Sequence, residues 1–371
     1  MSQKEEKNGH VLIMRLSAMG DVAMTAPVIA ALRAAYPDLR ISILTRTFFR
    51  PFFREIENLE FIDFEPEGRH KGAVGLTRLA MDINRAGVDS VADLHDVIRT
   101  KYIRRILYLL GKKVSVIDKG EDEKKEITRR TRKVLSPLIP MVERYRLTLI
   151  KLGFYFDMPW EREHKVYPIP EIIINKAGEK TDEWIGVAPF AKHKGKIYPI
   201  PLADELIGLL NEKYRRVFIF GGGDHERSFA EGMEKRHKGV ISIIGRLSLP
   251  LEMDLISNLD VMITMDSASM HIASLLDVPV VSVWGATHPF VGFYGYGQDP
   301  ENAVQVEMEC RPCSVYGNKP CIFGDYRCLS SVSPESIVKV VEKTLQKNRI
   351  AASTEKDVQK RLFGEPASPS L

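Results

Sequence analysis

Cysteine is scarce in this chain. Only four occur in 371 residues, and all lie between Cys310 and Cys328. Long apolar runs are absent, so no segment reads as a membrane span. The first apolar stretch, Val11–Leu16, is broken by Arg15 and follows the polar MSQKEEKNGH, so it reads as a strand and not as a signal peptide. Charge of one sign is also lacking: 53 Lys and Arg stand against 49 Asp and Glu, a net charge of +4. Without a dense basic stripe and stacking aromatics, nucleic acid is not an expected partner. No GxGxxG opens a strand–helix unit, which disfavours a nicotinamide dinucleotide site. These absences describe a cytoplasmic globular chain, in whose reducing surroundings disulfides are not expected.

Its length exceeds one ordinary domain, and 44% hydrophobic residues can fill large cores. In the first half, Val11–Leu16, Ile41–Leu44, Phe61–Phe64, Val91–Leu94 and Val114–Ile117 read as short strands. Helices are expected at Ala23–Tyr36, Ile98–Leu110 and Val142–Leu152, with a charge-rich flexible segment at Asp118–Lys133. Pro159, Pro168 and Pro170 mark a linker. In the second half, strands at Ile185–Ala188, Val217–Phe220, Val240–Ile244, Val261–Met265 and Pro279–Val283 alternate with helices at Leu202–Lys213, His225–His237 and Glu252–Leu259. A closing helix is expected at Ser333–Gln346, followed by a disordered polar tail. This alternation predicts an α/β fold of two Rossmann-like domains facing across a cleft. The expected division is 1–175, 176–348 and a tail at 349–371.

The stretch Asp260–Pro289 is a βαβ unit on which the second half is organised. Ligands of such units sit at the carboxyl ends of the strands, beside helix N-termini whose unpaired N–H groups suit a phosphate. Asp266, Ser267, Ala268, His271 and His288 lie at or near that edge. His271 is a core or capping histidine, or a donor to a phosphate oxygen. Asp21, in SAMGD, is a helix N-cap or a carboxylate at a cleft mouth able to take a proton from a hydroxyl. Lys192, Lys194 and Lys196 alternate in one loop. They are solvated surface, or they offer a point cation to a pyrophosphate leaving group. Glu226, after Gly221–Gly223, is a first-turn carboxylate or a holder of a ribose diol.

The segments MRLSAMGDVAMTAPVIAALR, KIYP, FGGGDHE and MDSASMHIASLLDVPVVSVWGATHP, in this order and spacing, resemble the ADP-heptose:lipopolysaccharide heptosyltransferases over about residues 10–345. The resemblance implies the GT-B arrangement of the two domains and single-displacement inversion with no cofactor and no metal. It implies Asp21 as general base, Lys196 on the donor phosphates, Glu226 on the ribose and Leu247 in the adenine pocket. Asp266, Ser267, Ala268 and His271 would line the donor diphosphate and sugar. Ser267-Ala268 stand where the family typically has Thr-Gly, and Tyr198 where Trp is common.

The implied activity is transfer of L-glycero-D-manno-heptose from ADP-heptose to the lipopolysaccharide inner core. Other readings are a different nucleotide sugar, a related epimerase, or a catalytically silent sugar-nucleotide-binding protein. The first domain should hold the acceptor, with Arg69, Lys71 and Arg99 as candidate contacts; Arg46, Arg50, Arg54 and His70 are further basic residues there. Arg46–Ile56 and Thr100–Lys113 mix basic with apolar residues. Each is a segment packed into the core or one that rests on an anionic bilayer, and a lipid-linked acceptor would bring the enzyme to the inner membrane face. The cysteines Cys310, Cys313, Cys321 and Cys328 form C-x2-C-x7-C-x6-C. The first pair has zinc-ligand spacing and the second does not, so structural zinc and free thiols both remain open.

Overall fold

The computed structural model describes residues 9–159 and 164–363. The first eight residues, part of the proline-bearing linker and the tail beyond Phe363 lie outside the described residues.

Chain order in the first half is β1 (His10–Met14), α1 (Met19–Ala23), α2 (Ala26–Ala35), β2 (Arg40–Thr45), β3 (Leu59–Asp63), α3 (Gly72–Arg85), β4 (Ser90–Asp93), α4 (Ile98–Leu109), β5 (Lys113–Val116), α5 (Glu121–Ile127), α6 (Met141–Ile150) and α7 (Glu171–Ala177). The second half continues with β6 (Trp184–Ala188), α8 (Ile200–Lys213), β7 (Arg216–Ile219), α9 (Asp224–Arg236), β8 (Val240–Ser242), α10 (Leu249–Ile256), β9 (Val261–Met265), α11 (Ala268–Leu275), β10 (Val280–Val283), β11 (Ala303–Val304), α12 (Arg327–Ser330) and α13 (Pro334–Phe363).

Two parallel sheets result, ordered β3-β2-β1-β4-β5 and β11-β10-β9-β6-β7-β8. Their strands are apolar throughout because each sheet is covered on both faces. Alternate residues divide the first sheet. Val11, Ile13, Ile41 and Ile43 face a core that also takes in Trp184, Phe218 and Met262 of the second half. Leu12, Met14, Leu44 and Val91 face the opposite way, against Leu76, Leu79 and Ile83 of α3 and Ile103 and Leu107 of α4. A separate core packs α8 and α13 on the second sheet. This is the expected architecture of two Rossmann-like halves.

Four local departures have physical causes. The helix expected at Ala23–Tyr36 starts only at Ala26, as α2, and a separate short helix, α1, ends at Ala23. Pro27 lies in the first turn of α2 and has no N–H to give to Ala23, and the Thr25 hydroxyl donates to Val22 O at 2.7 Å. Within Asp118–Lys133, α5 replaces a flexible stretch. Glu121, Asp122 and Glu123 occupy its positive end, and the buried Arg144 guanidinium bonds Glu123 and, at 3.2 Å, Asp118 O. The linker ends in α7, which attaches to the second half through Arg216 Nε to Ala177 O at 2.8 Å and Lys176 to Glu234 at 2.9 Å. The last helix does not stop near Gln346. It runs to Phe363, through residues that are mostly good helix formers, and no Gly or Pro intervenes before Gly364. The expected disordered tail therefore begins in helix.

The mixed basic–apolar segments also separate. In Arg46–Ile56, Phe49, Phe52 and Phe53 are buried, while Arg50 and Arg54 pair with Asp63 and Asp254. In Thr100–Lys113, Ile103 and Leu107 are buried but Tyr108 and Leu109 stand exposed.

Candidate active site

A cleft of about 990 Å³ lies between the halves, at the carboxyl ends of β1 and β9. Its first wall is α1 together with the short helical turn Thr47–Phe53. Its second wall comes from the loop after β6, the start of α9, the start of α10 and the start of α11. Ligand sites of α/β sheets are found at this edge.

Helices α1 and α11 meet here almost without side chains between them. A Cβ on Gly20 would stand 2.7 Å from His271 Cδ2 and 3.2 Å from Ala268 Cα. Only glycine permits that approach. The carboxylate Asp21 lies one residue on, at the third position of α1. Its Oδ2 accepts from Arg15 Nη2 at 2.8 Å and from Ala18 N at 3.4 Å. Asp21 is therefore not the N-cap, a place taken by Ala18; from the third position its carboxylate bonds the cap N–H, and it lines the cleft. Its Oδ1 has no hydrogen-bond partner among the described residues. Arg15 is itself buried and anchored on Leu94 O at 2.6 Å. Behind this pair, burial and then the charge of Arg15 drive the His95 imidazole down to about 3, so His95 is neutral and accepts from Leu16 N.

Across the cleft, Ser267 occupies the N-cap of α11 but does not cap it. Its hydroxyl lies 3.1 Å from Thr264 Oγ1, so the first N–H groups of α11 are left for an anion. Lys196 Nζ stands 3.3 Å from Asp266 Oδ2, both largely buried. The lysine loop is pinned by Gly195 N to Gly317 O at 3.2 Å and Ala286 N to Gly195 O at 2.9 Å. His271 is buried, its Nδ1 has no hydrogen-bond partner among the described residues, and burial depresses its basicity, so it is a neutral imidazole. Glu226 folds back so that Gly222 N donates to Oε2 at 2.6 Å. A Cβ on Gly221 would stand 2.5 Å from that oxygen and would displace the Glu226 side chain from this place. Burial raises the Glu226 carboxyl above its ordinary range.

Asp21, Lys196, Glu226, Leu247, Asp266, Ser267, Ala268 and His271 all line this one cleft. Lys192 also lines it, and Lys194 does not. His288 is not among the lining residues. It is buried, accepts from Phe290 N through Nδ1 at 3.1 Å, and is driven down to about 4 by burial.

Arg69, Lys71 and Arg99 are not brought to the cleft. Arg69 pairs with Asp82 at 2.5 Å, Lys71 precedes α3, and Arg99 opens α4 with its guanidinium 5.9 Å from the Phe64 ring centroid. Their basic character was visible in the sequence, but the element that each would sit on, and the face it would take, was not. His70, a further basic residue of that region, is buried and stacked on Phe64.

Several lining residues escaped sequence reading. Phe48 is 59% exposed on the cleft wall, Phe293 comes from the loop after β10, and Tyr316 comes from the cysteine-bearing segment. Glu252 lines the cleft beside Leu247, and burial raises its carboxyl to about 7. In sequence it is one more acid in the first turn of an expected helix. Lys124 of α5 sits behind Phe293, 4.9 Å from its ring centroid, and burial lowers its ammonium to about 8.

The four cysteines line a separate cavity of about 20 Å³. None is in a disulfide. Among the described residues no three His, Cys, Asp or Glu side chains are grouped so as to hold a metal ion. Among those residues, too, no helix is long and apolar enough to cross a membrane.

Residues 77–322 match the family described as glycosyltransferase family 9 (heptosyltransferase). Lipooligosaccharide heptosyltransferase 2 of Campylobacter jejuni is 19% identical over 331 residues, which cover 88% of this chain and 96% of that protein. A crystal structure of the glycosyl transferase family 9 protein from Veillonella parvula superposes with a TM-score of 0.70 at 20% identity, over 91% of this chain and 98% of that one. The structure of Escherichia coli ADP-heptose lps heptosyltransferase II gives 0.65 at 17% identity, over 92% and 99%. The fold, the cleft and the family match agree, and the chain belongs to glycosyltransferase family 9 as a heptosyl-transferring glycosyltransferase of lipopolysaccharide synthesis.

Proposed function

We infer that this enzyme moves L-glycero-D-manno-heptose from ADP-heptose to a sugar of the lipopolysaccharide inner core by a single displacement, with Asp21 as general base. The observation that carries the reading is the meeting of α1 and α11. It sets a half-held carboxylate against a cluster suited to a diphosphate. The solved relative from Escherichia coli, described as an ADP-heptose heptosyltransferase, supports the choice of donor.

In this mechanism Asp21 Oδ1 accepts the proton of an acceptor hydroxyl while Arg15 fixes Oδ2. The acceptor oxygen forms a bond to the anomeric carbon from the face opposite the leaving group. The bond from that carbon to the phosphate oxygen breaks, and ADP leaves with the electron pair. Negative charge growing on the diphosphate is met by Lys196, by the free N–H groups of α11 and by His271 donating from its neutral ring. Asp266 orients Lys196 across 3.3 Å. Glu226 receives the ribose hydroxyls and Leu247 packs on the adenine. The first half, 1–175, serves the acceptor and the second, 176–348, the donor.

The test is incubation of the full chain with ADP-heptose and a panel of deacylated inner-core acceptors, read by mass spectrometry. The expected result is one added heptose on one acceptor, with ADP released in equal amount. Donor binding without transfer to any acceptor would leave the sugar-nucleotide-binding reading. Transfer from a different nucleotide sugar in preference to ADP-heptose would replace the donor.

A further inference from the structure

Helices α3 and α4 cover the outer face of the first sheet and touch each other side by side, with the Thr77 hydroxyl 2.9 Å from the Tyr102 hydroxyl. Their inward residues are core. Their outward residues are not what a solvated face requires. Ile98 is 86% exposed, Leu109 76%, Val74 74% and Tyr108 67%, and Met81 and Tyr102 are more than a third exposed. Cations alternate with them: Arg78 and Arg85 on α3, and Arg99, Lys101 and Arg105 on α4. Helix α4 contains no acidic residue. Arg85 pairs with Asp82 at 2.8 Å and Lys101 Nζ lies 3.6 Å from Asp96 Oδ2, whereas Arg78 and Arg105 make no ion pair among the described residues.

We propose that this outer face of α3 and α4 is a docking surface for an anionic lipid bilayer. Apolar and aromatic side chains interleaved with cations on one helical face match a bilayer interface, where the apolar groups enter the acyl boundary and the cations meet phosphate headgroups. Exposed apolar side chains gathered on one face mark an interaction surface. Charge complementarity selects the bilayer over a second copy of the chain, whose same face would bring cation to cation.

The placement also suits the reaction, on the reading that the acceptor is lipid-linked. Both helices start at the carboxyl ends of their strands, the edge at which the cleft opens. Lys71, at the start of α3, and Arg99, at the start of α4, therefore stand on the cleft-side margin of this face, as headgroup contacts in place of the sugar contacts expected from the sequence. Docking here would hold the cleft mouth beside the membrane surface.

The test is co-sedimentation of the full chain with vesicles of phosphatidylcholine alone and of equimolar phosphatidylcholine and phosphatidylglycerol. Transfer to a soluble deacylated acceptor is measured in parallel. Wild type is expected to sediment with the anionic vesicles only, and less so as salt is raised. Loss of each cation should lower partitioning about fivefold, so Arg78→Ala/Arg105→Ala should lower it about 25-fold. Tyr108→Ser/Leu109→Ser should lower it at least tenfold. Both variants should keep wild-type transfer to the soluble acceptor. Absence of vesicle binding by wild type, or equal binding by the variants, overturns the proposal while leaving the transferase reading intact. A concentration-dependent dimer that Leu109→Ser abolishes overturns it in favour of self-association.

Discussion

Gly20→Ala is the substitution whose consequence the structure determines most closely. The added methyl would stand 2.7 Å from His271 Cδ2, against an ordinary contact of about 3.4 Å, so α1 and α11 must separate by roughly 0.7 Å. His271 cannot swing away freely, because it is buried. Overpacking of this size costs about 1–3 kcal/mol. Asp21 follows Gly20 directly, so its carboxylate shifts by a similar amount relative to the donor cluster. Misplacement approaching 1 Å costs on the order of 100-fold in rate. The expected outcome is a fall in kcat of about 10- to 100-fold. ADP affinity, read by calorimetry, should change by less than about fivefold, since Lys196 and Glu226 do not move. A thermal melt separates this from unfolding. Wild-type kcat in a folded Gly20→Ala protein would refute the claim that this helix contact sets the distance between base and donor.

Other perturbations test the parts singly. Lys196→Ala leaves Asp266 buried without its cation, so it should lower stability by about 3 kcal/mol as well as turnover; adding Asp266→Asn should restore the melting temperature and not the activity. Glu252 holds a proton in the folded state, to about pH 7, that the unfolded chain loses near 4.5, so this residue subtracts stability as pH rises between those values. Glu252→Gln should then match wild type at pH 4 and exceed it at pH 8 by up to about 3 kcal/mol, measured by denaturant unfolding. Arg15→Met removes one of the two donors to Asp21 Oδ2 and should lower kcat about tenfold or more with little change in donor affinity, as read by steady-state kinetics and calorimetry.

Much of this was legible because the strands are short, apolar and regularly spaced. Val261–Met265, then Asp266–Ser267, then an apolar helical repeat can hardly fold as anything but a strand, a turn and a helix opening at a sheet edge. The residues on the second wall of the cleft were legible for that reason: they follow strand ends in sequence, and strand ends converge in space. What sequence hid was set by tertiary packing. Glu252 differs from any first-turn glutamate only through its burial. Phe48 and Tyr316 reach the cleft from the basic–aromatic and cysteine-bearing segments, whose patterns carry no sign of a cleft-lining role. Arg69, Lys71 and Arg99 suggested an acid-binding site by charge alone, which carries no information about which way a helix faces. Asp118–Lys133 reads as flexible because the buried partner that holds its start, Arg144, lies on another helix.

The central claim is that Asp21 acts in the chemical step and not in donor binding. Single-turnover transfer by Asp21→Asn, at saturating ADP-heptose and acceptor, tests it directly, alongside calorimetric titration of ADP. The account predicts a rate lower by about 10²- to 10⁴-fold with ADP affinity within about twofold of wild type. A variant that transfers heptose at the wild-type rate, or one that loses ADP binding in step with its rate, would contradict it.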